Sequence, residues 1–552
     1  MQTMTMKKSN PITGITLEGF QVFDKPTYIP LDRLTLLFGP NSAGKSAVQD
    51  AIELYAALIS DDADYDYQYI NNHVLELLTR HWRRTGGNDD QWVDRLNLGV
   101  IHSTQCDIHS DLGSKLGREV WGEFLAKDSD AWQLESRWHF KRDTEEEDLS
   151  FSTCFEFFAE QELLVRHRRS ELVVNLAHPL LSQIELKLDF AEVARIYPDE
   201  VTLKDGLLTV HVSMQGFHPR AIKSIELINI SRLSALLSIG LTPGPSQNTS
   251  LFLAAIAELN LLLGQLLSSA SGNSRFKPNV VEASRKVPSR QELVFQLGYL
   301  DDQIEPLIPK VNRRYRRLAA SIANLPISDE PESVLESIFL REDLLSYGER
   351  INRALSDHLF IEQGYRIDHD RRVLMSKENS RAVIAGDELD LSEFGYVVEL
   401  FLRDGRNRKH LFEDVGSGIG YALPVLCAAF ESKAFSSTCF VQQPELHIHP
   451  ALQAAMGDVF IEASGLDKQI LIETHSEHLL LRILKRIRQT HLQASIAPEL
   501  KINADDVCVL YFNPSPDGTT TVKHLRITED GEFMDRWPRG FFGERDQELQ
   551  DE

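Results

Sequence analysis

The sequence predicts an α/β protein: a mixed sheet with an antiparallel lobe, a helical insertion and a small β-rich C-terminal domain. Three observations predict it. An apolar strand, Leu34-Thr35-Leu36-Leu37-Phe38, runs into a loop bounded by Gly39 and Gly44 and then into a helix. From about Trp132 to Val212 short runs alternate apolar and polar residues, the period of half-buried antiparallel strands. Two later stretches, Thr438–Pro450 and Gln469–His478, each read as an apolar strand ending in polar residues, where ligands sit in open α/β sheets.

The first stretch carries the most chemistry. Gly39-Pro40-Asn41-Ser42-Ala43-Gly44-Lys45-Ser46 has the spacing G-x-x-x-x-G-K-[ST]. Its glycines let the backbone curl so that successive N–H groups point inward at phosphates. Lys45 reaches the terminal phosphates, and the Ser46 hydroxyl takes a Mg²⁺ position. The helix that follows, with Val48, Ala51, Ile52, Tyr55 and Ile59 on one face, turns its positive end toward the same anion.

The remaining elements follow in order. Ile12, Ile15, Leu17, Phe20, Val22 and Phe23 suggest a strand and turn leading to the loop strand. Residues 60 to 130 are polar and mixed; His102, Cys106 and His109 lack an evident fourth ligand there and are not read as a metal site. Between Asn248 and roughly Asp357 helical periodicity dominates, most strongly over Leu251 to Leu267, without the sustained heptads of a long coiled coil.

At 552 residues the chain is long enough for roughly two to four domains. A net charge of −24 repels nucleic acid on average. Any such contact must use a local basic patch: Arg80–Arg84, Arg166–Arg169, Arg313–Arg317, or Arg482 with Lys485, Arg486 and Arg488. Each patch also reads as salt-bridge partners for the acidic surplus. The five cysteines are scattered, no signal-peptide pattern opens the chain, and no apolar run reaches the roughly 18 residues that span a bilayer. The expectation is a cytoplasmic protein without membrane contact.

Three later segments narrow the site. Asp414–Pro424 contains a glycine- and serine-rich turn, Gly416-Ser417-Gly418-Ile419-Gly420, that opens a helix and exposes N–H groups to a phosphate. In Gln442-Gln443-Pro444-Glu445-Leu446-His447-Ile448-His449-Pro450 polar groups follow a buried strand. In Thr474-His475-Ser476 a histidine at a strand tip can hydrogen-bond a terminal phosphate or attacking water.

These motifs, in this order, resemble those of ABC-type P-loop ATPase heads, most closely the group related to SMC, RecF and OLD-type proteins. Val507–Phe512, Pro516-Asp517-Gly518, Thr520–Ile527 and Trp537–Phe542 resemble the small domain called DUF3696, which closes a set of prokaryotic AAA-type ATPases. Septu-type and retron-associated anti-phage ATPases, which act beside an HNH nuclease, are similar in length and motif order. The resemblance covers roughly residues 12–60 and 385–545. It implies residues 1–240 as the N-terminal half of the head with its antiparallel lobe, 241–384 as the helical insertion, 385–500 as the C-terminal half and 501–552 as the DUF3696-like domain.

The resemblance further implies a homodimer, or a higher oligomer, in which ATP on one phosphate loop is capped by the Ser417, Gly418 and Gly420 turn of the other head. Mg²⁺ would be held by Ser46 and by position 442. Gln442 stands where the family has its acidic Walker B residue, and Gln443 where the hydrolytic carboxylate or its substitute falls. Glu445 is then the only nearby base, His447-Ile448-His449 a dimer-facing loop and His475 the switch histidine. Gln442 keeps a carbonyl lone pair and lacks a charge, which fits either a natural switch with weak hydrolysis or an engineered Glu→Gln trap. The expected function is an ATPase of a defence system that controls a partner effector, an HNH-type nuclease. A DNA-clamping repair ATPase and a hydrolysis-deficient, nucleotide-stabilised scaffold are the alternatives.

Overall fold

The structure, a computed structural model, describes residues 12–59, 95–103, 133–143, 150–159, 161–168, 171–178, 190–196, 201–211, 278–297, 313–323, 346–374, 395–431, 438–466 and 468–538. The chain forms two compact units, each assembled from separate stretches. The first takes Met1–Asp32, Phe38–Pro278 and Leu510–His524, and the second takes Arg33–Leu37, Asn279–Val509 and Leu525–Glu552.

The first unit holds a nine-stranded antiparallel sheet. In chain order its strands are β1 (Ile12–Glu18), β2 (Thr27–Pro30), β4 (Arg95–Ser103), β5 (Gln133–Asp143), β6 (Ser150–Ala159), β7 (Glu162–Arg168), β8 (Glu171–Asn175), β9 (Val201–Lys204) and β10 (Leu207–His211); β3 (Leu34–Phe38) belongs to the second unit but for Phe38. The spatial order is β2-β1-β4-β5-β6-β7-β8-β10-β9. The alternation expected over 132–212 is present on β5, where Trp138 and Phe140 are buried while Arg137 and His139, which alternate with them, reach solvent in part. The sheet also recruits β1, β2 and β4, which the sequence pattern did not tie to it.

Helix α1 (Ser46–Ile59) buries Val48, Ala51, Ile52 and Tyr55 as expected, together with Ala47, Leu54 and Leu58. Tyr55 meets Trp138 edge-on at 5.6 Å, and Trp138 in turn meets Phe155 at 5.2 Å. These aromatic pairs tie the helix to the sheet, each worth about 0.5–1.5 kcal/mol beyond area burial. A short helix, α2 (Phe190–Ile196), packs beside β9.

The second unit is built on parallel strands. β11 (Asn279–Val281), β16 (Thr438–Gln442), β17 (Gln469–Glu473) and β3 pair in that order, all parallel, and β18 (Val507–Pro514) lies on the other side of β3. β17 thus lies between β16 and the loop strand. All five residues of β17 and of β3 are buried, which is why neither shows the alternation of a strand with one wet face. The last residues of β18 pair antiparallel with β19 (Thr520–His524) within the first unit. A second sheet of this unit is antiparallel: β12 (Val294–Leu297), β14 (Gly395–Arg403) and β13 (Arg366–Leu374), with β15 (Lys409–His410) on β14.

Among the described residues its longer helices are α3 (Arg313–Ala323), a helix over 346–353 that widens into a π turn at Ala354–Leu359, α4 (Ser417–Phe430), α5 (Pro450–Ser464) and α6 (Glu477–His491). α4 is apolar all round and buried from Ile419 to Phe430 apart from Tyr421. α5 and α6 pack together, with Asp458 accepting from Arg482 at 2.6 Å and from Arg486 at 2.7 and 2.8 Å. β11, β12 and the nine-residue β13 lie in the stretch expected as a helical insertion, 241–384, so the described part of it is not purely helical. Short β-branched and aromatic runs, Val280-Val281 and Val294-Phe295, carry too few residues to show a period. Leu251–Leu267 lies outside the described residues, as do Cys106 and His109 and the side chain of His102.

Several basic residues named as patches are used internally. Arg166 bonds Glu156, Arg317 pairs with Glu431, and Arg488 with Glu532. Among the described residues no helix is long and apolar enough to cross a membrane.

Candidate functional site

The expected site residues fall in both units, and each group has its own geometry. In the first unit, Gly39 has φ +143° and Gly44 φ +89°, and Ser42 enters the left-handed region at +63°. A Cβ on Gly39 would lie 2.5 Å from the Phe512 carbonyl oxygen, and one on Gly44 would lie 2.3 Å from Val22 Cγ2. The two glycines therefore answer to packing as well as to curvature. Pro40, Asn41, Ser42 and Ser46 are exposed while Ala43 and Lys45 are buried. Lys45 Nζ donates to the Gly39 and Pro40 carbonyls at 3.0 and 2.9 Å. α1 begins at Ser46, so its unshared N–H groups sit at the end of the loop.

In the second unit the C-terminal ends of β16 and β17 gather the remaining groups. Gln442 and Glu473 are in register, and Glu473 is also in register with Leu37 of β3. The Gln443 N–H donates to the Glu473 carbonyl at 2.6 Å, with Gln443 at φ +44°. The Gln442 amide oxygen accepts from the Ala283 N–H at 3.1 Å.

Glu445 bridges the two strand tips. One carboxylate oxygen accepts from the His475 N–H and the other from the Thr474 hydroxyl, both at 2.7 Å. Burial pushes its carboxyl above the usual range, opposed by these two bonds and by the Arg285 charge. Expected as the only nearby base, Glu445 here holds the His475 turn in place. Nor is it the only carboxylate: Glu473, 8% exposed, ends the neighbouring strand.

Around this pair the polar contacts are dense. The Gln453 amide donates to the Ile448 carbonyl at 3.1 Å and accepts from the Ser476 hydroxyl at 2.8 Å. Ser476 also caps α6 by accepting from Leu479 N–H, and His449 caps α5 through Nδ1. His449 is thus tied to its helix, Ile448 is buried, and His447, at φ +63°, stacks on Tyr421 at 4.5 Å.

At the α4 turn, Gly416 and Ser417 are exposed and a Cβ on Gly418 would touch nothing nearer than 3.8 Å. Gly420 differs, because a Cβ there would meet Val287 at 2.5 Å. Ser417 and Gly418 therefore present open backbone, whereas Gly420 is a packing glycine.

Arg285 and Glu473 were not singled out from the sequence. Arg285 donates to the carbonyls of Tyr421 at 3.1 Å, Gln442 at 3.0 Å and Gln443 at 2.9 Å, tying the α4 turn to the β16 tip. Burial lowers its pKa. No local pattern announces it, since its partners lie over 130 residues away. Glu473 had a signal: it ends the apolar run Gln469–Glu473 just as Gln442 ends Thr438–Gln442.

Mg²⁺ takes hard oxygen donors and keeps several waters. The Ser46 hydroxyl, the Gln442 amide oxygen and the strand-end carboxylate of Glu473 are donors of that kind. Among the described residues no group of three or more His, Cys, Asp or Glu gathers to form a cage for a metal by itself.

Residues 350–480 match the family model described as an AAA ATPase domain, and residues 502–551 match one described as a protein of unknown function, DUF3696. Over residues 350–480 the chain is thus similar to AAA ATPase domains. None of the curated proteins compared with it matches. Among solved structures it is similar to an SMC head bound to the C-winged helix domain of ScpA, at 10% identity and TM-score 0.40, over 94% of this chain and 98% of that one. It is similar also to the SMC head domain from Thermotoga maritima, at 9% identity and TM-score 0.34, over 94% and 100%. A third is the Pyrococcus furiosus SMC head with an extended coiled coil, bound to the C-terminal domain of ScpA: 13% identity, TM-score 0.34, 94% and 96%. Likenesses of this strength carry no argument about activity or partner.

Proposed function

We propose that this chain is the ATP-binding and ATP-hydrolysing subunit of a cytoplasmic prokaryotic anti-phage system, working as a dimer of heads that controls a partner nuclease of HNH type. The observation that supports it most is the Gly39–Ser46 loop: two glycines at positive φ, a buried lysine, and a helix opening at the final serine. Backbone N–H groups of Ala43 to Ser46 and the Lys45 ammonium hold the phosphates. Mg²⁺, when bound with ATP, would supply positive charge against the phosphates. Ser46 and Gln442 would hold that cation, Gln443 would orient water, and His475, whose N–H is held by Glu445, would read the terminal phosphate. Gln442 gives a carbonyl oxygen without charge, which weakens the grip on the cation at that position.

Dimerisation is supported by the open Ser417–Gly418 backbone at a helix N-terminus, which suits a phosphate presented from outside the chain. The defence role rests on the resemblance of the motif order to Septu-type and retron-associated ATPases. A DNA clamp is less well supported, because Arg166, Arg317, Arg482, Arg486 and Arg488 are engaged in ion pairs.

The test combines nucleotide binding with sedimentation. Lys45→Ala is expected to abolish binding of a fluorescent ATP analogue. Gly418→Glu, whose Cβ would meet nothing nearer than 3.8 Å, is expected to keep binding and lose ATP-dependent dimers. A chain that cleaved DNA alone, with cleavage indifferent to Lys45→Ala, would overturn the proposal.

A further inference from the structure

We infer that Arg285 is a positioning residue that couples the first turn of α4 to Gln443, so that a phosphate held at that turn is felt at the β16 tip. The inference rests on the reading of the chain as an ATPase head that caps its partner's nucleotide, and deepens it. Every contact it uses lies within the second unit.

Three observations carry it. The guanidinium of Arg285 reaches two segments at once: Nε donates to the Tyr421 carbonyl at 3.1 Å, and the two Nη groups donate to the Gln442 and Gln443 carbonyls at 3.0 and 2.9 Å. Among the described residues it forms no ion pair, and Glu445 attracts its charge without one. A half-buried cation satisfied by carbonyls costs more than an apolar side chain packed in its place. What it adds is direction, since a rigid fork holds carbonyls of both segments in one fixed relation.

Strain marks the same contacts. Gln443 at φ +44° and His447 at φ +63° are the two left-handed non-glycine residues between β16 and α5. Arg285 holds the first, and the Tyr421 ring stacks on the second at 4.5 Å. Such conformations persist where neighbours impose them, and both are braced from the α4 side. That side can itself yield. Pro424 has no N–H for the Gly420 carbonyl, so the first turn of α4 is one hydrogen bond short of a continuous helix. The segment 283–287 spans turn and tip together. The Ala283 N–H bonds the Gln442 amide oxygen at 3.1 Å, and a Cβ on Gly420 would lie 2.5 Å from Val287.

A phosphate drawn onto the open Ser417–Gly418 backbone therefore moves Tyr421, and the Tyr421 carbonyl moves Arg285. Gln443, whose carbonyl sits on the same guanidinium, shifts with it. Capping the partner's nucleotide then adjusts the residue that would orient water in the capping chain itself. The signature is a turnover that depends on dimerisation, which a purely structural role would not single out.

The experiment measures ATP turnover of the full chain against protein concentration. Sedimentation follows dimerisation, and a fluorescent ATP analogue gives nucleotide affinity. Wild type should turn over faster per chain once dimers form. Arg285→Gln should bind the analogue as wild type does and still form ATP-dependent dimers, yet gain no turnover from them. The dimer should then be slower than wild type by roughly 10²-fold, as for a reacting group misplaced by about 1 Å. Arg285→Lys, which keeps the charge and loses the fork, should behave alike. Dimers of either variant that keep the wild-type gain overturn the inference, as does a wild-type dimer no faster than its monomer. Affinity and dimerisation lost together with turnover mark a structural role and also overturn it. If Arg285→Gln does not fold, Arg285→Lys decides on the same readout. Wild type that binds no analogue, hydrolyses no ATP or forms no ATP-dependent dimer overturns the ATPase-head reading itself, a separate result.

Discussion

At Gly44 a backbone at φ +89° meets a side chain, Val22, that leaves no room for a methyl group. Gly44→Ala combines the strain of a non-glycine residue in that region with a steric clash. It should destabilise the first unit by about 1–3 kcal/mol, seen in denaturant melts, and weaken ATP binding with it. Glu445→Ala acts differently. It strips acceptors from the His475 N–H and the Thr474 hydroxyl, so about 1–3 kcal/mol of stability should be lost for each donor left buried without a partner. ATP turnover should fall more than ATP affinity, because what loosens is the His475 turn. Steady-state kinetics showing a raised KM with unchanged kcat would contradict that assignment. The loop residues Gly39–Ser46 were legible in the sequence because phosphate binding needs contiguous backbone. Arg285 was not, because it joins carbonyls brought together by strand pairing across more than a hundred residues.

Among the elements, α5 and α6 are held by Asp458, 3% exposed, between Arg482 and Arg486. Asp458→Ala leaves two guanidinium groups without their carboxylate. Because both reach solvent in part, the loss should fall at the low end of the roughly 3–5 kcal/mol typical of a broken buried pair, measured by denaturant unfolding.

A second element-scale test uses pH. Glu156 on β6 is held from 4.5 down to about 2, chiefly by its bond to His139 on β5, with Arg166 on β7 adding to it. A depressed carboxyl pKa gives stability that is present above pH 4.5 and lost as pH falls through about 2. The stability gap between wild type and Glu156→Gln should therefore shrink steadily across that window. A constant gap would show that the ladder contributes no charge-dependent stability. The strands themselves were legible wherever one face was wet, as in β5 and β6. β11 and β12 were hidden inside the stretch read as helical, since runs of three and four residues carry no period to recognise.

For the whole molecule, the −24 charge and the internal use of the arginines make one prediction. Binding to duplex DNA should be weak at physiological salt and should not rise on adding ATP, as electrophoretic mobility shift would show. ATP-enhanced binding that falls steeply with salt would instead favour a clamp. The order of the parallel strands, with β17 between β16 and β3, was the least accessible feature, because sequence shows which strands exist and not which are neighbours.

That strand order also sets a timetable. Leu34–Phe38 leaves the ribosome long before its partner strand β17, which follows more than 400 residues later. At about 5–20 residues per second this apolar segment waits on the order of 20–90 s for its neighbour. The first unit waits longer still, since it needs Leu510–His524. A growing chain therefore exposes a sticky, unpaired strand for most of its synthesis. Its yield should depend on whatever shields that strand from other nascent chains.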